Sequence, residues 1–237
     1  MHHEIRFARA DDAAGIAAIY APNVAGSAIS FEADPPTREL MSGRISSTLE
    51  QLPWLVCERG AELIGYAYAS PHSGRAAYNW SLNASVYIAA ACRRQGIGRA
   101  LYRSLFALAR LGGYYSVHAG VTLPSAASVG LHESLGFVPV GIYREVGFKL
   151  GAWHDVGWWQ LELRPRSGVP APPVALPVLR AQTPDAVEEA LGAGCSRPGG
   201  KRWGLRNPRE FVARGRRKNR TRPMETGPVS TRSFRFP

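Results

Sequence analysis

From Tyr78 to Ile88 the chain alternates. Tyr78, Trp80, Leu82, Ala84, Val86 and Ile88 fall on one face, and Asn79, Ser81, Asn83, Ser85 and Tyr87 on the other. A period of two carried by aromatic and β-branched residues predicts a strand. After Gly98 the period lengthens to 3.6, with Leu101, Leu105, Leu108 and Leu111 in one stripe, which predicts a helix over 98–111 ending at Gly112-Gly113. Upstream, Ile5 to Ala8 reads as a short first strand. Asp11-Asp12 then stands at an N-cap, before a helical stripe of Ile16, Ile19 and Tyr20 that Pro22 ends. A loop over 24–35 leads to Pro35-Pro36-Thr37 and a second helical pattern carried by Leu40, Ile45 and Leu49, closed by Pro53. Trp54 to Glu58 and Leu63 to Ala69 form a hairpin about Arg59-Gly60, with Gly65 weakening its second arm.

Downstream, Tyr115 to Val121 reads as a strand. Pro124, Ser125 and Ser128 open a short helix through Leu131 and Leu135 that ends at Gly136. Val138 to Tyr143 and Asp155 to Leu163 are two closing strands, separated by a loop around Gly147, Phe148, Lys149 and Gly151. The order β-α-α-β-β-β-α-β-α-β-β predicts an α/β fold, a mixed sheet with helices on both faces. About 165 residues suffice for one such core.

The junction of strand and helix carries the chemistry. Arg93-Arg94-Gln95-Gly96-Ile97-Gly98-Arg99-Ala100 follows the strand directly. The first amides of a helix lack internal partners and face the positive end of its dipole. Strand, glycine loop and helix are therefore an anion site in outline. Gly96 and Gly98 let backbone approach phosphate oxygens, and Arg93, Arg94 and Arg99 add positive charge. No Lys-Ser or Lys-Thr follows, as a Walker loop requires, and two glycines are too few for the dinucleotide fingerprint.

Charge divides the 237 residues in two. Residues 1–165 hold 14 Arg/Lys against 13 Asp/Glu; residues 166–237 hold 15 against 5. The expected organisation is a near-neutral domain over 1–164 followed by a Pro/Arg/Gly-rich basic tail over 165–237. Pro170, Pro172, Pro173 and Pro177 stiffen the start of that tail, and Thr183-Pro184-Asp185 caps a short helical pattern, Ala186 to Leu191. Beyond it the composition predicts disorder. Cys57, Cys92 and Cys195 show neither a pairing pattern nor metal-ligand spacing, which suits a reducing cytosol, and no metal is expected. No apolar run approaches the 18 residues of a membrane span, and Met1-His2-His3-Glu4 leaves no room for a signal peptide before the first strand. A soluble, cytoplasmic protein is expected.

The R-x-x-G-x-G loop after a strand ending V-Y-I resembles the pyrophosphate loop of the GCN5-related N-acetyltransferases, which hold acetyl-coenzyme A. Ala119 to Pro124, Ser128 to Phe137 and Val146 to Gly157, together with Phe31 and Pro35-Pro36-Thr37, resemble the phosphinothricin N-acetyltransferases and their arsinothricin-acetylating relatives. The resemblance runs from Ile5 to Leu163 and leaves the tail outside. It implies an acyl-CoA N-acyltransferase fold in a homodimer whose partner loops help close the substrate pocket. It also implies that Val86, Tyr87 and Ile88 offer backbone groups to the thioester and pantetheine arm, at a splay between strands, while Arg94 to Arg99 cradle the pyrophosphate. The implied reaction moves acetyl to the α-amine of an amino acid bearing a tetrahedral oxyanion group.

Such a transfer needs a proton acceptor for the ammonium, donors for the carbonyl, an acid for the thiolate and cations for the substrate. His132 stands where many members of the superfamily carry a tyrosine near the sulfur, and is the first candidate for proton transfer. His72, His118 and His154 read as structural or solvent-facing. The chain departs from the family at Asn83, where a glutamate is usual; an amide cannot take the proton. The acceptor is then His132, a carboxylate such as Glu32, or a water chain. Ser125 stands where many relatives place an asparagine on pantetheine. Arg75 suits a carboxylate or phosphinate bidentately, Phe31 suits the apolar part of the substrate, and Lys149 is a further cationic candidate. Trp158 and Trp159 read as core or dimer-interface aromatics. The same scaffold also suits other small amines, such as methionine sulfone or sulfoximine, or a domain that binds acetyl-coenzyme A without turnover. Arg214 to Arg222 could neutralise nucleic-acid phosphates, but aromatic residues around it are few, and nucleic acid is not an expected partner.

Overall fold

A computed structural model describes residues 3–195. Seven strands form one sheet: β1 (Glu4–Phe7), β2 (Trp54–Arg59), β3 (Glu62–Pro71), β4 (Ser81–Ile88), β5 (Ser116–Leu123), β6 (Val138–Lys149) and β7 (Ala152–Glu162). Six helices accompany them: α1 (Ala13–Ala25), α2 (Arg38–Leu49), α3 (Ile97–Leu111), α4 (Ala126–Ser134), α5 (Leu176–Gln182) and α6 (Pro184–Gly192). The sheet order is β1-β2-β3-β4-β5-β7-β6, antiparallel everywhere except between β4 and β5. The last strand among the described residues thus inserts beside β5 and pushes β6 to the edge.

Side-chain parity along β4 divides the core. Leu82 and Ala84 are buried with α3, in a cluster that includes Leu101, Tyr102, Leu105 and Leu108. Tyr87 leans the other way, onto a second cluster formed by Ile16, Tyr20, Met41, Ile45, Trp54 and Tyr66 under α1 and α2. That second cluster is largely aromatic: Trp54 and Tyr68 stack at 4.3 Å, and Tyr20 meets Tyr87 edge-on at 4.9 Å.

Several elements differ from the sequence reading. α1 runs through Pro22 to Ala25, and α2 buries Met41 and Ile45 while Leu40 stays exposed. Tyr78 belongs to a short 3-10 turn, Ala76–Tyr78, that precedes β4. The expected loop around Gly147 and Gly151 is the tip of a long β6–β7 hairpin. Register shifts after Pro139 and Tyr143 break the alternation along β6 and hide the strand in the sequence.

The expected domain edge at 164 gives way over residues 165–195. Leu179, Val187, Ala190 and Leu191 are buried in the α3 cluster, and Leu176 is buried as well. The Ser104 hydroxyl donates to the Leu191 carbonyl at 2.6 Å, and Trp80 Nε1 donates to the Ala171 carbonyl at 2.8 Å. Five apolar side chains on two short helices offset the ordering cost that the proline count suggested would prevail. The arginine-rich run at 214–222 and the disorder expected beyond Gly192 lie almost wholly outside the described residues.

Candidate active site

The parallel pair β4–β5 is short. It runs Ser81↔Ser116, Leu82↔Val117, Asn83↔His118, and then stops. Past that apex the strands diverge, because β4 stays paired with β3 as far as Ile88 while β5 follows β7 to Leu123. The Trp80 carbonyl accepts from Tyr115 across this seam, and the Ala89 amide donates to Ile64 on the β3 side. By the alternation of a strand, the backbone groups of Ala84, Val86 and Ile88 face the splay, and those of Tyr87 face β3. The three-residue backbone contact expected from the resemblance therefore reduces to Val86 and Ile88, with Tyr87 turning only its ring toward α1.

At the open end of the splay stands the anion loop. Gly96 is the N-cap of α3 at φ +82°, a left-handed conformation that suits glycine. Ala100 N–H is the first to bond within the helix, to the Gly96 carbonyl, which leaves the amides of Ile97, Gly98 and Arg99 without helical partners. Arg93 and Arg94 are exposed around this turn, and Arg94 itself has φ +61°. Arg93 bonds weakly, at 3.5 Å, to the Ile88 carbonyl and to Asn23; Gln95 accepts from Arg59 and donates to the Ala91 carbonyl. Arg99 reaches the Ser134 carbonyl at 3.4 Å. Ser125 caps the start of α4 and Ser128 lies in its first turn, both half-buried on the β5 side. These residues suit a diphosphate at the loop and an extended arm along β4.

His132 sits on the α3 side of the apex, 4% exposed. Its Nδ1 lies 2.7 Å from the Ser128 carbonyl, so that nitrogen carries the proton. Its Nε2 then accepts from the Tyr102 hydroxyl at 3.2 Å, and the same hydroxyl lies 3.4 Å from the Ala84 carbonyl in the splay. Burial holds the imidazole below its usual range, only partly offset by the Ser128 carbonyl. Burial likewise raises the Tyr102 hydroxyl. This pair is neutral and dry, and it presents a hydroxyl to the splay.

On the opposite face Asn83 meets two histidines, His72 and His118, that the sequence suggested were structural or solvent-facing. Asn83 Nδ2 donates to the Pro71 carbonyl at 3.2 Å, which turns Oδ1 toward His72 Nδ1 at 2.9 Å. The His72 ring packs 4.2 Å from His118, 5.7 Å from Tyr78 and 6.2 Å from Trp158. His118 Nε2 contacts the Ser116 hydroxyl at 3.3 Å, and desolvation, with His72 and Arg166 nearby, pushes its pKa down to about 4. The Trp158 indole N–H is buried and has no partner among the described residues. Trp159, its neighbour, points into the α3 cluster, so the two tryptophans split between core and site. The signal for His72 was available in the hairpin register, since Pro71 pairs with Leu82 and so sets residue 72 against Ser81.

The remaining candidates lie around the mouth. Glu32 forms a bidentate pair with Arg44 and accepts from Tyr20, and Arg44 holds its carboxyl below the usual range. A carboxylate so stabilised is a poor proton acceptor. Lys149 spends its three N–H donors on the carbonyls of Val24, Ser30 and Glu32, at 2.5, 2.6 and 2.9 Å. It clamps the α1–α2 loop to the hairpin and is thereby removed from substrate anchoring. Phe31 is 43% exposed beside His154, and a Cβ on Gly147 would run into its ring. His154 itself contacts the Lys149 carbonyl at 3.0 Å. Arg75 is exposed at the head of the 3-10 turn, three residues after His72.

Residues 5–158 match the family model of the acetyltransferase (GNAT) domain. The chain belongs to that family. This acetyltransferase is 37% identical over 170 residues to a phosphinothricin N-acetyltransferase of Streptomyces viridochromogenes, a match spanning 72% of this chain and 91% of the relative. It is 32% identical over 160 residues to an L-methionine sulfoximine/L-methionine sulfone acetyltransferase of Salmonella typhimurium, covering 67% of this chain and 94% of that one. Among solved structures, a GNAT superfamily phosphinothricin acetyltransferase from Sinorhizobium meliloti, in complex with AcCoA, superposes with a TM-score of 0.66 at 32% identity, over 71% of this chain and 96% of that one. The enzyme is thus an acetyltransferase of phosphinothricin N-acetyltransferase type. Among the described residues, no helix is long and apolar enough to cross a membrane, and no cluster of metal-ligating side chains occurs.

Proposed function

We propose that the enzyme moves acetyl from acetyl-coenzyme A to the α-amine of a small amino-acid analogue with a tetrahedral oxyanion group, phosphinothricin or arsinothricin, and so detoxifies it in the cytoplasm. The carrying observation is the splay: one open strand edge joins the unpaired amides at the head of α3 to an apex flanked by proton-handling side chains. Acetyl-coenzyme A supplies the activated acyl group. Val86 and Ile88 would hold its arm, Arg93 to Arg99 its diphosphate, with Ser125 and Ser128 on the far wall. Tyr102, backed by His132, is the hydroxyl available to protonate the departing sulfur. Arg75 and the Trp158 N–H, which has no partner among the described residues, would be donors for the anionic end of the acceptor, with Phe31 for its apolar part.

A second copy of the chain completes this reading. β6 is an edge strand, and Val140, Tyr143, Val146, Phe148 and Trp153 on the β6–β7 hairpin are all more than half exposed. Such an apolar edge supports pairing with a partner subunit.

Thiol release with a panel of amines tests the proposal. Phosphinothricin and arsinothricin are expected to exceed other amino acids in kcat/KM by at least tenfold. A preference for methionine sulfone or sulfoximine, which the Salmonella relative favours as the second reading, overturns the oxyanion assignment. Tight binding of acetyl-coenzyme A without transfer to any amine overturns catalysis.

A further inference from the structure

Asn83 stands where the resemblance implies a carboxylate, and Glu32, His132 and His118 are otherwise engaged in the structure. Glu32 is held ionised by Arg44. His132 is buried on the α3 side with both nitrogens engaged. His118 is desolvated and stays neutral above about pH 4. One imidazole at the apex is different. His72 is half-buried, so it reaches both the site and solvent, and its Nε2 makes no hydrogen bond among the described residues.

The geometry points to His72 as the proton acceptor and Asn83 as the residue that positions it. These roles rest on the acetyl-transfer reading above. Asn83 Nδ2 is committed to the Pro71 carbonyl, so Oδ1 is the atom facing His72. A carbonyl oxygen only accepts, so Nδ1 of His72 must carry the proton. Neutral His72 is therefore the Nδ1–H tautomer, with its lone pair on Nε2. The asparagine that cannot itself act as base thus fixes the tautomer of a residue that can.

Place supports the same assignment. The anion loop lies at the open end of the splay and Asn83↔His118 at its closed end, about 17 Å of strand away at about 3.3 Å per residue. An arm laid from the loop along β4 carries its reactive end toward that apex. Tyr102 and His132 meet the apex from the α3 face; His72 meets it from the other. The groups set against His72 are Asn83 on β4, Tyr78 in the 3-10 turn, His118 on β5 and Trp158 on β7, with Arg166 acting on His118 from beyond.

The step balances with these groups alone. The substrate ammonium gives one proton to His72 Nε2, which becomes imidazolium and returns the proton to water. The freed amine lone pair forms the C–N bond as the C–S bond breaks. The second proton lost from nitrogen ends on the sulfur of coenzyme A, giving the free thiol and the neutral amide.

The test uses the full chain. kcat/KM is followed against pH by thiol release for wild type, His72→Gln, Asn83→Leu and His72→Ala with added imidazole. His72→Gln is expected to lose 100-fold or more in kcat at pH 7, with KM for acetyl-coenzyme A unchanged and the acidic limb of the profile gone. Imidazole is expected to restore at least tenfold to His72→Ala. In parallel, nitrogen-15 spectra of the unliganded protein are expected to report the Nδ1–H tautomer of His72 in wild type and a mixture in Asn83→Leu. A wild type active on its amine, with His72→Gln retaining kcat and the acidic limb, overturns the role of His72 alone. An inactive wild type overturns the acetyl-transfer reading and this role with it, and an Nε2–H tautomer overturns the positioning role of Asn83.

Discussion

The two faces of the sheet handle a histidine in opposite ways. On the α3 face, His132 is sealed among Tyr102 and Phe137, hydrogen-bonded at both nitrogens and neutral by desolvation. On the other face, His72 has one nitrogen fixed by a side-chain amide and the other left open near solvent. The sealed ring lies in the motif that drew attention to it, and the open one in a loop that did not. Chemistry at such a site follows the surroundings of a side chain more closely than its place in a pattern. A proton acceptor has to exchange with water between turnovers, and only the open ring is built to do so.

The covering of the α3 face is where this comparison breaks most severely. Ending the chain after Leu163 strips α5 and α6 from α3 and uncovers several large apolar side chains. At about 1.5–3 kcal/mol each, the expected loss exceeds about 5 kcal/mol, read as the disappearance of a cooperative thermal transition. Ending it after Cys195 is expected to leave Tm and kcat unchanged. If the shorter truncation product melts like the full chain, α5 and α6 are not part of the fold.

The next effect contrasts the two rings directly. His132→Leu removes the side-chain bonds to the Ser128 carbonyl and the Tyr102 hydroxyl, leaving the hydroxyl only the long contact to the Ala84 carbonyl, and about 1–2 kcal/mol is expected to vanish in urea unfolding. His72→Gln, at a half-open position, is expected to cost less than about 1 kcal/mol while removing most of the turnover. Stability and rate thus separate by face.

Acid sharpens the contrast further. His118 and His132 are held below the value of about 6.5 that they regain on unfolding. Between the two values the unfolded chain binds more protons, so stability is complete above about pH 6.5 and drains away as pH falls toward about 4. For His118 the difference amounts to at most about 3 kcal/mol, and about 2 once its partial exposure is discounted. Urea midpoints measured across that window should flatten in His118→Gln.

Smallest is the effect at the mouth. Lys149→Met releases three carbonyls to water and is expected to cost about 1 kcal/mol. It should raise KM for the amine several-fold with kcat unchanged, because the loop bearing Phe31 loses its tether. An unchanged KM would mean that this loop does not touch the acceptor.

Much of the scaffold was legible because it is local. The α3 stripe, the Gly96 turn and the alternating strand each lie within a dozen residues, and each was found, the strand beginning at Ser81 and not at Tyr78. The apex was not legible, since His72 acquires its meaning from Asn83 and His118, on two other strands. Lys149 misled for a similar reason: a cation beside glycines suggests an anion, and its partners are carbonyls more than a hundred residues earlier. Of the two helices after 165, α6 was legible as the pattern capped by Thr183-Pro184-Asp185, whereas α5 was masked by its prolines, although Pro177 sits in the first turn, where a missing amide hydrogen does no harm.

The clamp at Lys149 has a corollary for engineering acceptor preference. One ammonium ties segments 117 residues apart in sequence, and Gly147 leaves just enough room for the ring of Phe31. Loop and hairpin tip therefore behave as a single cassette. A chimera that imports a new loop with the old tip would arrive without its strut, and selectivity should transplant only when both pieces travel together.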